Sequence, residues 1–245
     1  MNKEYITIEK LDNYNIPNLF TLKPLDFKID NINLDNNYNK VKDILNIDII
    51  KSPIQNHTNI VKVLDKNNIN DEFRDCDGLI TNLKNIGLAV KIADCQGIIL
   101  LDRKRSVIGN IHSGWKGTSN RILTNAINLM ISEFNSNISD IELFFSPSIL
   151  ECCFQVDSDV KDMFLNSFDD IDINSCITLG EIIDNKQKYN IDTQKVNELV
   201  SIKLGIKKEH IYLSNICSKC NSNIIHSYRE DKEMSGRNLY VVCLK

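Results

Sequence analysis

Histidine is scarce in this chain: His57, His112, His210 and His226 are the four among 245 residues. So few imidazoles cannot furnish several histidine-rich metal centres. A basic excess is also missing. The 29 Lys and Arg stand against 33 Asp and Glu, a net charge of −4, so nucleic acid is not an expected partner. No apolar run approaches membrane-spanning length, and the opening MNKEYITIEKLDN lacks the apolar core of a signal peptide. The expectation is a cytoplasmic protein with no membrane partner. Repeats, low-complexity blocks and linker-like stretches are absent, so residues 1–245 read as a single domain, long enough to bury a sizeable core.

What is present is ordinary in bulk, at 42% hydrophobic and 25% charged. The 8 cysteines do not read as disulfides, because a chain of this size needs no staples and nothing marks it as secreted. Cys76, Cys176 and Cys243 read as small apolar residues. Cys217-x-x-Cys220 reads as structural. A zinc there would want a second pair, and the adjacent Cys152-Cys153 has the wrong spacing for one.

Residues 92–121, IADCQGIILLDRKRSVIGNIHSGWKGTSNR, organise the rest. The apolar runs Gly97 to Leu101 and Val107 to Ile111 flank a charged turn and read as a hairpin. Cys95 precedes the first strand and His112 follows the second, and antiparallel pairing sets those two ends side by side. Gly114-Trp115-Lys116-Gly117 then reads as a turn, with Thr118 or Ser119 capping a helix that carries Ile122, Leu123, Ala126, Ile127, Met130 and Phe134 on one face.

Elsewhere, Gln55 and His57 stand before a strand from Ile60 to Leu64. Asp77-Gly78 reads as a turn, followed by strands at Leu79 to Thr81 and Leu88 to Ile92. A strand at Ile141 to Phe145 and a helix opening at Asp157-Ser158 come next. Residues 167–190 read as an irregular surface excursion. A second helix is capped by Asp192 or Thr193 and stopped by Gly205. Residues 30–39 are turn-rich, Val41, Ile44 and Leu45 hint at a short helix, and a strand from Leu239 to Leu244 closes the chain. Many short strands with a few helices define an α+β class with mixed β-sheets and flanking helices.

If His57 joins Cys95 and His112, two imidazoles and a thiolate leave a fourth tetrahedral position open, the pattern of catalytic zinc. Such a metal brings the pKa of a bound water to about 7. Two other readings stand beside it: Cys95 as a metal-free nucleophile with His112 as base, and Cys95 as an inert buried thiol. Trp115, the single tryptophan, reads as a core anchor or as a wall for a flat ligand. Lys116 at a helix start suits an anion such as phosphate, and Arg229 and Arg237 are the other anion candidates.

IADC with HSGWKG resembles the TADC and HAGWRG pair of the multicopper polyphenol oxidoreductase, or laccase-domain, family. QNH at 55–57 is similar to that family's QVH, and CDGLIT at 76–81 to ADALVT. SPSILECCFQV resembles GPSIGPCCYEV, and the closing CSKC, SYRE and SGR resemble CT, SYRRD and TGR. The order is kept from residue 52 to the C-terminus. The resemblance implies His57, Cys95 and His112 as ligands of Zn²⁺, with copper disfavoured because four histidines cannot build several copper centres. It implies purine nucleoside phosphorolysis (adenosine, inosine, guanosine and methylthioadenosine, with phosphate) and adenosine deamination as a companion activity. In that scheme Cys95, His112 and Asp94 are catalytic, Asp94 as general acid/base, while Gln55, Lys116 and Arg237 contact substrate. Departures weaken the implied phosphate site: Lys116 replaces an Arg fork, Glu230 replaces a second Arg, His226 replaces a Phe, and an N-terminal Asn-Arg element has no counterpart. A metal-free cysteine hydrolase, a non-enzymatic metal-binding partner and a copper-dependent polyphenol oxidase are the rival functions.

Overall fold

The computed structural model describes residues 3–245. Strands Gln96–Asp102 and Val107–Ser113 pair antiparallel from Gln96 opposite Ser113 to Asp102 opposite Val107. Both are buried throughout, because each face of the sheet they occupy is covered. Alternation along the strand divides the side chains. Ile98, Leu100 and Ile111 pack with Leu123, Ala126, Ile127 and Met130 of helix Ile122–Phe134 on one face. Ile99, Leu101 and Ile108 pack on the other face with Leu88, Val90, Tyr240 and Val242. Burial of each such side chain is worth about 1.5–3 kcal/mol against leaving it in water. The hairpin is therefore the middle layer of the molecule, and its end is held rigidly.

That sheet has six strands, in the order Ile211–Tyr212, Ile141–Phe145, Gln96–Asp102, Val107–Ser113, Gly78–Thr81 and Val61–Val63. A five-stranded sheet faces it, in the order Tyr5–Ile6, Asn18–Thr21, Asn238–Cys243, Ile86–Ile92 and Ile49–Lys51. Its outer face is covered by helix Leu34–Leu45 through Val41 and Leu45, against Leu19, Ala89 and Val241. Parallel and antiparallel pairings mix in both sheets. The α+β expectation holds. A smaller sheet, Gln155–Val156, Lys186–Ile191 and Ile177–Ile183, packs with helices Ser158–Ser167 and Thr193–Leu204 around Phe164, Phe168 and Ile191. Among the described residues no helix is long and apolar enough to cross a membrane.

Several local expectations are corrected. Residues 167–190 hold a β-hairpin, not an irregular excursion. Its strand Ile177–Ile183 is mostly exposed and carries a register shift between Leu179 and Ile182, so it lacks the alternation that marks a half-buried strand. The turn-rich text before residue 40 is already helical from Leu34. The turn at Gly114 to Gly117 is a helical one, Trp115–Ser119, and left-handed Arg121 (φ 61°) separates it from the long helix. His112 lies inside its strand rather than after it. Asp77-Gly78 is no turn: Gly78 opens a buried strand paired with Ile111.

Candidate metal centre and substrate cavity

The hairpin end, the turn before it and the loop 55–58 bring three ligands together. One ligand atom from each of His57, Cys95 and His112 lies within 4.8 Å of the others. Cys95 Sγ is 3.9 Å from His57 Nε2, and the two imidazole rings stand edge to face with centroids 4.8 Å apart. His112 is buried, Cys95 is half-buried and His57 is exposed, so the cluster has a closed back and an open front. Gly114 completes the cradle. A Cβ there would come within 2.9 Å of His57 Cδ2 and 3.1 Å of Cys95 Sγ, so any larger residue would push these two side chains aside.

Asp77 organises this cluster, and the sequence reading missed it. Its carboxylate, fully buried, sits 2.7 Å from His112 Nδ1. It also accepts from the backbone amides of Asn56, His57 and Thr58 at 3.2, 3.0 and 2.7 Å, and from the Thr58 hydroxyl at 2.8 Å. These bonds hold the left-handed turn (φ 59°) that projects His57. Burial alone would push the Asp77 carboxyl up, but the His112 contact and the Thr58 donors bring it down to about 2. A carboxylate at Nδ1 fixes the proton there and leaves Nε2 as the metal-facing atom. Without a metal, burial acts against charge on both Cys95 and His112, yet their mutual attraction prevails. The thiol falls to about 6 and the imidazole rises to about 9.

Asp94 holds the turn at Cys95 in place. Its backbone is left-handed (φ 80°), and its carboxylate accepts from Ser218 Oγ at 2.6 Å, Ser227 Oγ at 2.7 Å and the Arg229 amide at 2.5 Å. Three donors on two oxygens make Asp94 a clamp on this turn, and Asp94 also lines the cavity in front of the cluster. Gln55 is likewise engaged: its amide both donates to the Lys91 carbonyl and accepts from the Lys91 N–H, each at 2.8 Å.

In front of the cluster lies a cavity of about 780 Å³, within the roughly 300–1,000 Å³ of small-molecule sites. Trp115, Phe154 and Tyr228 supply flat walls, and Lys91, Arg229 and Arg237 supply positive charge. Lys91 was not singled out from sequence, because it stands as a lone cation near the end of an otherwise apolar strand. Burial first, and the charge of Arg237 second, pull the Lys91 ammonium below its usual value. Lys116 is not among the residues lining this wall. It is exposed, with Nζ 5.5 Å from the Trp115 ring, since Trp115 takes the inward face of that helical turn. His226 is buried, with Nε2 3.0 Å from the Leu25 carbonyl, a structural place.

The spacing rule applied to the other cysteines fails. Cys152, Cys153, Cys217 and Cys220 converge on one point, all ligand atoms within 4.8 Å. Cys76, Cys176 and Cys243 are buried singly, as expected.

Three side chains able to hold a metal ion, at the mouth of a cavity in an α+β fold of mixed sheets, define a class, and comparison with known proteins gives it a family. Residues 27–245 match the family described as multi-copper polyphenol oxidoreductase laccase, and the chain belongs to that family. It is 30% identical over 169 residues to the purine nucleoside phosphorylase YlmD of Bacillus subtilis, covering 69% of this chain and 59% of that protein. It is 28% identical over 200 residues to adenosine deaminase RL5 from an unknown prokaryotic organism, covering 79% and 74%. The crystal structure of Bacillus licheniformis hypothetical protein YfiH superposes with a TM-score of 0.88 at 25% identity, covering 100% of this chain and 97% of that one.

Proposed function

We propose that this protein is a zinc-dependent purine nucleoside phosphorylase that also deaminates adenosine. The observation that carries the reading is the open His57–Cys95–His112 cluster, braced by Asp77, at the mouth of a cavity with aromatic and cationic walls. The names of the similar proteins, phosphorylase and deaminase, support the same substrate class. The donor set of two nitrogens and one sulfur suits zinc, and Gly114 leaves the room it needs. Bound there, zinc would supply Lewis acidity to orient or activate the attacking group.

The chain's own residues do the rest. Trp115 and Phe154 sandwich or wall a purine ring, whose flat apolar face matches theirs. Lys91 and Arg237 face the same cavity and receive phosphate; in the free protein they repel one another, and an anion between them relieves that repulsion. Phosphate oxygen then bonds to the ribose C1′ as the C1′–N9 bond breaks, and the base leaves with the bonding pair and takes a proton. Deamination places water at C6 instead and releases ammonia.

The family's copper description finds no support in the donor inventory. Among the described residues, the clusters able to hold a metal are this one and the four cysteines, so several histidine-rich copper centres have no ligands. A metal-free cysteine hydrolase is favoured by one observation, the Cys95 thiol set among the His57 and His112 imidazoles, which draw its pKa down. Incubating the zinc-loaded protein with adenosine, with and without phosphate, separates these. Adenine and ribose 1-phosphate formed only with phosphate support the phosphorylase. Inosine formed regardless of phosphate supports deamination alone. Turnover that survives chelators and stops on alkylation supports the cysteine enzyme.

A further inference from the structure

The four cysteines away from the cavity form a site that the proposed reaction does not use. Cys152 and Cys153 sit on a tight turn closed by hydrogen bonds from the Cys153 and Phe154 amides to the Leu150 carbonyl, both at 2.9 Å. Cys217 and Cys220 sit on a second turn, closed by the Asn221 amide on the Cys217 carbonyl at 3.2 Å. The turns are joined by a parallel bridge between Ser148 and Cys217, with Ser148 donating to Ile216 and Ser218 donating to Ser148.

The sulfur spacing decides between a disulfide pair and a metal. Cys220 Sγ lies 3.8 Å from Cys152 Sγ and 3.5 Å from Cys153 Sγ. A bonded pair would be about 2.05 Å apart. Four sulfurs about 2.3 Å from a central zinc form a tetrahedron whose edges are about 3.8 Å. Four free thiols gain little from such crowding, whereas a closed sulfur tetrahedron around one cation accounts for it. Cys217 is buried, Cys153 half-buried, and Cys152 and Cys220 are exposed, so the site lies just under the surface, reachable by an ion.

We propose that Cys152, Cys153, Cys217 and Cys220 bind a second, structural zinc ion. All four positions are filled by protein, so this site leaves none open for substrate and is a brace, not a reaction centre. What it braces follows from the neighbours. Ser218, between the two ligand cysteines, donates to Asp94, which fixes the turn carrying Cys95. Arg229 donates to the carbonyls of Cys153 and Gln155, both at 3.1 Å, and its amide also meets Asp94. The second ion would thus pin two loops to each other behind the cavity wall formed by Ile149, Phe154 and Arg229.

The test is zinc stoichiometry of protein purified under reducing conditions, by plasma mass spectrometry, on three forms. Wild type should carry two zinc ions per chain. The double variant His57→Ala/Cys95→Ser should keep one, and X-ray absorption on it should show a sulfur-only shell at about 2.3 Å. Cys217→Ser/Cys220→Ser should lose one ion relative to wild type. If that variant does not fold, His57→Ala/Cys95→Ser alone still decides, and it does so whether or not the protein turns over nucleosides. A His57→Ala/Cys95→Ser protein that binds no zinc, or binds it through nitrogen and oxygen, overturns the proposal. So does the recovery of Cys153 and Cys220 joined as a disulfide under the same reducing conditions.

Discussion

Asp77 Oδ1 lies 2.7 Å from His112 Nδ1, and both side chains are buried. One carboxylate therefore sets the orientation of one ligand imidazole while its remaining bonds shape the turn bearing another ligand, His57. Two of the three ligands depend on this single buried charge.

Asp77→Asn keeps the shape of that group but presents an N–H to one of its donors and removes the charge. We expect zinc affinity at the three-ligand site to fall about 10–100-fold. Competition against a chromophoric chelator measures it. Unchanged affinity would mean that His57 and His112 are held by packing alone.

Gly114→Ala tests the cradle. Gly114 has φ −68°, which alanine adopts without strain, so the fold should be retained. The added methyl would stand 2.9 Å from His57 and 3.1 Å from Cys95. Zinc affinity should drop at least about tenfold, a loss of 1.4 kcal/mol or more, with little change in thermal midpoint. Full affinity would show that the His57 loop yields at no cost.

Lys91→Met and Arg237→Met should raise KM for phosphate at least about tenfold and leave phosphate-independent deamination within about threefold, because each removes a cation from the cavity wall. Lys116→Ala should change neither by more than about twofold, since that side chain faces solvent. Steady-state kinetics on the three variants decides. Loss of phosphate saturation in Lys116→Ala alone would return the anion site to the helical turn.

In metal-free protein the thiolate of Cys95 is the reactive form, and its proton is lost at about pH 6. Its alkylation should therefore stay fast from pH 8 down to about 6 and slow below that. An ordinary cysteine, with a pKa of about 8.5, would slow throughout that range. Above about pH 9, His112 loses its proton and the pair loses its attraction. Mass spectrometry of the Cys95 peptide after timed iodoacetamide exposure gives the profile. A midpoint near 8.5 would contradict the ion pair.

Features written locally in the chain were legible. The hairpin around 102–106 shows as two apolar runs and a charged turn. The helix from Thr193 shows its Asp192 cap, which accepts from the Lys195 amide at 2.9 Å, and its Gly205 stop with φ 106°. Features assembled across loops were not. Asp77 stands before a glycine and so imitates a turn. Gly78 is there because a Cβ would strike Ile111 at 2.5 Å, which no local pattern reveals. The four-cysteine cluster joins an adjacent pair to a CxxC from a distant loop, so a rule about spacing within one segment misses it. Lys91 lines the cavity and Lys116 does not, because strand and helix position tell which residues are near a face, not which face borders the cavity.

The measurement that bears most directly on the proposed site is the rate of phosphate-dependent base release as zinc is returned to chelator-stripped protein, in wild type and in His112→Ala. The site predicts that stripping abolishes the rate, that zinc restores it in the wild type, and that His112→Ala stays inactive at saturating zinc while remaining folded. A stripped wild type that keeps its rate, or a His112→Ala protein that recovers it, would contradict a metal centre at His57, Cys95 and His112.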